Sequence, residues 1–388
     1  MALPITYNIR NLLVRWRVTL LSIFGIGLVV TVLVVLMAMA AGFRIALRTS
    51  GRPDNAVYIQ KGSASELTSW ANLNLVQLVS VDSRVARGKD GQPLASPEIV
   101  IVSNMPRRAD GQPTNVTVRG VTQKAFDVRG PIEIIQGRNF TPGLYEIVVG
   151  ERIHERMAGL DLGAKVNIQR RSWEIVGIFR AEGSAFESEI WGDVSVMGPA
   201  FFRTGGYNSV TLRLNDPKSL SGFAKEISTN PQMQHQLIEE RKYYEDQAGP
   251  VAAQLIRLAT FVAVVMGIGA VFGAMNTMYA IVSARTREVG TLRALGFSRF
   301  SVLSAFLIES VFLAIIGGLI GCLLALPMNG FTTATGGPGF SELAFAFKIT
   351  GRVLLVGMIF AVVMGVIGGL LPAIRASRLP ISSSLREA

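Results

Sequence analysis

A chain of 388 residues could hold two or three soluble domains, but 49% of its residues are hydrophobic and only 17% are charged, the balance of a membrane protein that carries a soluble portion. The net charge of +11 comes mostly from arginines beside apolar runs, which assigns it to membrane topology and excludes a nucleic-acid partner. A lone cysteine, Cys322, excludes disulfides within the chain, so the soluble portion requires an ordinary hydrophobic core.

Residues 1–17 set Ile9, Leu12, Leu13 and Trp16 on one helical face with Arg10 and Arg17 elsewhere, the pattern of an amphipathic cytoplasmic helix lying on membrane lipid. Residues 18–48 read as transmembrane helix 1 with a stalk. At about 1.5 Å per residue they exceed a hydrocarbon core of about 30 Å by more than two turns. The apolar core is too long for a cleaved signal peptide.

Residues 49–250 change to short β-branched runs bounded by Gly, Pro, Asn and Asp, which predicts a large α+β extracytoplasmic domain inserted between helices 1 and 2. A weak boundary at "RVARGKDGQPLAS" divides two lobes. Strands are expected over residues 56–60, 98–103, 115–121, 146–149, 165–169, 173–179, 193–197 and 209–214, and helices over 65–73 and 151–157. Helical character returns before the second span, with interruptions at Pro231 and Gly249-Pro250.

Residues 251–284 then form a stalk and transmembrane helix 2, 285–299 a short helix, 300–328 transmembrane helix 3, 329–351 a loop, 352–374 transmembrane helix 4 and 375–388 a tail. Arg10, Arg15 and Arg17 precede the first span, Arg285, Arg287, Arg293 and Arg299 lie between the second and third, and Arg375, Arg378 and Arg386 follow the fourth. The loop 329–351 holds only Glu342 and Lys348. Both termini and the segment 285–299 are therefore expected in the cytoplasm, with 49–250 outside.

Much chemistry is missing. There is no Gly-x-x-x-x-Gly-Lys-Ser/Thr loop to cradle phosphate and no Gly-x-Ser-x-Gly elbow. His154 and His235 stand without partners at metal-ligand spacing, so no catalytic, cofactor-binding or metal-binding residue is expected on this chain. Gly269 and Gly273 in span two, and Gly317 and Gly321 in span three, have the spacing of close helix packing. Glu309 is the acid at membrane depth, where burial is costly. It either couples ions or is satisfied structurally, by snorkelling or by bonding Ser304, Ser310 or a neighbouring polar group such as Asn276.

Between spans two and three, Val289, Leu292 and Leu295 recur at three-residue spacing while Arg285, Arg287, Glu288 and Arg293 take the other faces. Gly290 permits close approach and Gly296 is a helix stop. That pattern describes a docking helix; the competing reading is a basic anchor on anionic lipid.

The stretch "NTMYAIVSARTREVGTLRALGFSRFSVLSAFLIESVFLAIIGGLIG", residues 276–321, closely resembles the membrane region of the MacB/FtsX-type ABC transporter permeases, with Val289 in place of the usual isoleucine. The tail "GLLPAIRASRLPISSSLRE" and the outer segment "IIQGRNFTPGLYEIVVGERIHERMAGLDLGAKVNIQRRSWEIVGIF" are similar to the same family. The resemblance implies a multi-pass protein of the bacterial inner membrane, working as a homodimer or as a heterodimer with a related permease. It implies a separate ABC ATPase subunit carrying ATP and Mg, docked on a coupling helix through Arg285, Arg287, Glu288, Val289, Gly290, Thr291, Leu292, Arg293, Leu295 and Gly296. The chain itself would not be an enzyme. Mechanotransmission through the stalks would drive export or extraction of a lipid, peptide or small hydrophobic substrate, with a periplasmic adaptor and an outer-membrane channel as further partners. The alternative is a signalling scaffold of the cell-division type that activates an extracytoplasmic cell-wall hydrolase.

Overall fold

Four runs long and apolar enough to cross a membrane fold as helices: Trp16–Ser50, Glu240–Ala284, Arg299–Ala325 and Gly351–Ser377. The computed structural model describes residues 16–337 and 340–380. The amphipathic segment expected over 1–17 lies outside them but for its last two residues, as does most of the expected tail.

The chain divides into two compact units: one of residues 1–41, 253–331 and 347–388, the other of 42–252 and 332–346. In the helical unit, glycines set the packing distances. A Cβ on Gly317 would lie 2.9 Å from the Ile23 carbonyl oxygen, and one on Gly321 2.4 Å from that of Gly27. Hydrogen bonds also join the helices: Thr31 Oγ1 donates to Gly321 O at 3.0 Å, Ser310 Oγ to Gly365 O at 2.7 Å, and Ser22 Oγ to Thr277 Oγ1 at 2.6 Å. In lipid, where water does not drive helices together, such contacts carry the association. Gly269 and Gly273 take no part, since a Cβ on either would meet nothing within 4 Å.

The second unit is built on strands β1 (Asn55–Gln60), β2 (Ala71–Asn72), β3 (Ala95–Pro106), β4 (Pro113–Val121), β5 (Glu133–Gly137), β6 (Glu146–Gly150), β7 (Lys165–Ile168), β8 (Arg171–Arg180), β9 (Glu189–Asp193), β10 (Gly206–Tyr207), β11 (Ser209–Arg213), β12 (His235–Glu239), β13 (Thr332–Gly337) and β14 (Phe340–Ala346). The main sheet runs β12-β1-β11-β3-β4-β9-β6-β8-β5, with β7 paired to β8. Pairing is antiparallel except for β4 with β9 and β6 with β8. Two cores share this sheet. One gathers Trp173, Ile147, Val118 and Ile190; the other gathers Tyr58, Val210, Phe223 and Leu237 beneath helices Leu73–Ser80 and Leu220–Thr229.

Four expectations need correction. The segment expected as strand 193–197 is the helix Val194–Ala200, because Asp193 caps it by accepting from Ser195 N at 3.1 Å; the strand lies upstream as β9. The helix expected over 65–73 is a 3-10 turn, Glu66–Thr68, followed by β2, with the α-helix at Leu73–Ser80. The interruption expected at Gly249-Pro250 is absent, for Glu240–Ala284 is one helix of 45 residues. Proline there removes one donor at a cost of about 3 kcal/mol, and helix on both sides, with Tyr243, Tyr244 and Ala252 buried, outweighs it.

The loop expected over 329–351 is the hairpin β13–β14, which belongs to the α+β unit. Thr117 Oγ1 donates to Ser341 Oγ at 2.6 Å, Arg156 pairs with Glu342 at 2.7 Å, and Ser188 Oγ accepts from Ala344 N at 2.9 Å.

Candidate functional site

The short helix between the second and third spans is Thr286–Ala294, with Arg285 as its N-cap residue. Its end follows from one glycine. Gly296 adopts φ 95°, which lets Phe297 N donate to Leu292 O at 3.1 Å and Gly296 N to Arg293 O at 3.2 Å, the two bonds of a Schellman stop. The helix is thus shorter at both ends than the expected 285–299, and Arg299 already starts the next helix, capped by Ser298.

Burial splits the expected contact residues into two sets. Val289 and Gly290 are buried; Val289 packs with Met278, Val282, Val302 and Phe306 in one apolar cluster. Arg285 also turns inward: its Nη1 lies 3.0 Å from Glu309 Oε2, its Nε 2.9 Å from Glu288 Oε2, and its guanidinium 5.1 Å from the Phe306 ring. Leu292 is half-buried and lines the cleft beside Phe306, and Arg293 is half-buried as well. Arg287, Glu288, Thr291 and Leu295 face outward, Leu295 with 72% of its surface exposed. One side of this helix is fastened to the third span, and the other is exposed.

Glu309 is therefore held by the cation at the head of the short helix. Ser304 and Ser310, considered for that role, bond instead to Ser301 O at 3.1 Å and Gly365 O at 2.7 Å. Asn276 is exposed, and its neighbour Thr277 makes the buried contact to Ser22. His154 Nδ1 lies 2.8 Å from Leu160 O and 4.0 Å from Asp161 Oδ1, and His235 stacks on Tyr58 with ring centroids 4.7 Å apart. Among the described residues no group of acids, histidines and cysteine could hold a metal ion.

Sequence reasoning missed a second constellation, where residues 51–55 and the head of the helix Glu240–Ala284 meet the β-sheet. Arg129, whose side chain has no exposed surface, donates from Nε to Glu98 Oε1 at 2.8 Å, from Nη1 to Glu240 Oε1 at 2.9 Å and from Nη2 to Thr211 Oγ1 at 2.9 Å. Arg119 donates to Glu189 at 2.8 and 2.9 Å, to Glu98 at 2.7 Å and to both oxygens of Glu66 at 3.1 Å. The remaining lone pairs are met by Ser209 on Glu66, Trp191 on Glu189, and Asn55 with Arg52 N on Glu240.

Four buried carboxylates thus face two guanidiniums with every oxygen accepting. Burial alone would raise the Glu98 carboxyl, but Arg129 and Arg119 outweigh it and hold Glu98 below the ordinary range. Gly51 completes the joint, for a Cβ there would lie 2.4 Å from Arg241 Cα. Charge placement was the readable clue, since Arg119 interrupts the apolar strand "NVTVRGV" and Glu98 heads "EIVIV".

Comparison with known proteins places the chain in a family. Residues 19–230 match the family described as MacB-like periplasmic core domain, and residues 260–381 match the FtsX-like permease C-terminal family. An uncharacterized ABC transporter permease of Bacillus subtilis (strain 168), YknZ, is 27% identical over 397 aligned positions, covering 95% of this chain and 94% of that protein. The macrolide export ATP-binding/permease proteins MacB of Rhodopseudomonas palustris (strain HaA2) and Bordetella avium (strain 197N) are 25% and 26% identical over 96% and 95% of this chain. The chain spans 58% of the length of each of these two MacB proteins. Among solved structures, the periplasmic region of MacB from Actinobacillus actinomycetemcomitans aligns over 52% of this chain and 96% of its own at a TM-score of 0.39 and 12% identity.

Proposed function

Because the chain belongs to the MacB/FtsX-type family of ABC transporter permeases, we propose that it converts ATP hydrolysis by a separate ATPase subunit into movement of its extracytoplasmic unit, driving export or extraction of a lipid, peptide or small hydrophobic substrate. The observation that carries this reading is the divided helix Thr286–Ala294. Arg285 and Val289 tie it to the third span, while Arg287, Thr291 and Leu295 are exposed on the other side, beside the Arg285–Glu288 pair. A lever needs one face fixed and one face offered.

The two over-long helices are the transmitting elements. At about 1.5 Å per residue, the 45 residues of Glu240–Ala284 reach about 68 Å, more than twice a hydrocarbon core of about 30 Å. The buried Arg119/Arg129 cluster fixes the head of that helix, through Glu240, to the sheet. Both termini and the short helix lie in the cytoplasm of the bacterial inner membrane, and residues 49–250 outside. The complex is a dimer of permeases, with the exposed face of Phe261, Val265, Ile268 and Phe272, beside Gly269 and Gly273, turned toward the second copy. A periplasmic adaptor and an outer-membrane channel complete the export path.

The test is the double variant Arg287→Glu with Leu295→Asp, at two exposed positions whose change leaves the helix itself intact. Expected is normal membrane insertion with at least a tenfold loss of co-purifying ATPase, since an interface anchor is worth roughly 2 kcal/mol or more. Wild-type recovery of the ATPase would refute docking through this face and favour a lipid anchor.

A further inference from the structure

On the α+β unit, the turn after helix Val194–Ala200 presents a residue that strains the backbone without any packing in return. Phe201 N donates to Met197 O at 2.9 Å, Phe202 N to Pro199 O at 3.2 Å and Arg203 N to Gly198 O at 2.8 Å, so the turn is closed on both sides. Phe201 is buried, its ring 5.7 Å from that of Trp173. Phe202 adopts φ 58°, the left-handed conformation that helix ends reserve for glycine and that bulky side chains avoid. The residue is 88% exposed. The other non-glycine residues with positive φ among those described, Gln169, Arg170 and Glu182, are polar and suit solvent.

The surroundings make a knob of this residue. Arg203 spreads its guanidinium 5.8 Å from the Trp70 ring and has no carboxylate at ion-pair distance among the described residues. Gly205, at φ 84°, and Gly206 return the chain to β2: Leu73 N donates to Gly205 O at 3.3 Å, and Gly206 pairs with Asn72. Leu73, itself 44% exposed, is thereby brought beside the turn. The result is convex, apolar at its tip and cationic on its flank.

We infer that the Phe202-Arg203 turn, with Trp70 and Leu73 at its base, docks a partner polypeptide that offers an apolar pocket rimmed by a carboxylate. A projecting ring requires a concave receiver, and the cation beside it selects an acidic rim. Strain kept at an exposed position, with a glycine-compatible backbone available, is the signature of a site maintained for contact and not for folding. The inference rests on the proposed function only in placing this unit away from the ATPase.

Two arms test it on the full-length chain. Phe202→Gly should raise the thermal midpoint by a few degrees and Phe202→Leu should not; no rise for glycine overturns the strain argument. In cells, p-benzoylphenylalanine replacing Phe202 should cross-link one polypeptide, while the same probe at the exposed Val81 should not. Arg203→Glu should cut that yield at least tenfold, and Asp or Glu changed to Arg in the cross-linked pocket should restore it. An adduct to a second copy of this chain, an adduct to lipid, no adduct, or a yield indifferent to Arg203→Glu each overturns the proposal. Recovery of the ATPase should be unchanged by Phe202→Gly and Arg203→Glu; a fall with either would make the turn part of assembly and overturn a separate docking surface. Normal cross-linking with an ATPase indifferent to the coupling-helix variant would instead sink the proposed function alone.

Discussion

The two charged constellations of this chain are opposites in construction. Around Arg119 and Arg129 the charges are sealed: six ionic side chains are buried and each carboxylate oxygen already accepts a donor. On the helix Thr286–Ala294 only the inner half is closed, by Arg285 on Glu309, and the outer half ends in Leu295 with most of its surface bare. A sealed cluster gains nothing from a further partner and serves to fix geometry. An open face beside a fastened one is the arrangement that the proposed docking on an ATPase requires.

The largest expected effect breaks the sealed side. Arg129→Met leaves Glu98 and Glu240 buried without their shared cation, which should destabilise the α+β unit by roughly 3–5 kcal/mol or prevent its folding, read by thermal unfolding of the full chain. Next comes the open side: Arg287→Glu with Leu295→Asp should cost at least tenfold in ATPase recovery and shift the unfolding midpoint hardly at all, the reverse of Arg129→Met.

Acid sharpens the contrast further. Glu98 is held below its ordinary range in the folded chain, so its contribution is fully present above the unfolded carboxylate value of about 4.3 and is lost as pH falls through the lower folded value. The share of the unfolding midpoint that Glu98 carries should hold from neutral pH to about 5 and be lost below about 4, read as the difference between the wild type and Glu98→Gln in unfolding at stepped pH. The smallest effect belongs to an exposed pair. Arg180→Gln removes the bond to Glu151 at 2.7 Å, and because both ends are solvated the midpoint should not change measurably.

The open constellation was legible in the sequence and the sealed one was not, for a physical reason. The short helix declares itself through local pattern: apolar residues at three-residue spacing, arginines between them and Gly296 as the stop. Seven of the eight strands expected from the same kind of local signal are found, and those at residues 56–60 and 209–214 fall within one residue of β1 and β11. The sealed cluster draws Glu66, Glu98, Arg119, Arg129, Glu189 and Glu240 from distant strands and turns, and no local period links them. The hairpin β13–β14 was lost because a stretch between two spans invites reading as a plain loop, although "TTATGGPGFSELAFAF" carries glycines between β-prone runs. Glu309 was singled out as a charge that needed an explanation, but its partner is 24 residues earlier in the chain and reaches it only through the turn at Arg285.

The central claim is that nucleotide in the cytoplasm moves the unit outside, and spin labels test it most directly. With Cys322→Ala as background and a labelled cysteine at the exposed Gln77, the distance between labels on the two copies is measured in the complex reconstituted with its ATPase, with and without a non-hydrolysable ATP analogue. The account predicts a shift of several ångströms on nucleotide binding that disappears in the Arg287→Glu, Leu295→Asp variant. A distance unchanged by nucleotide in the intact complex would contradict it.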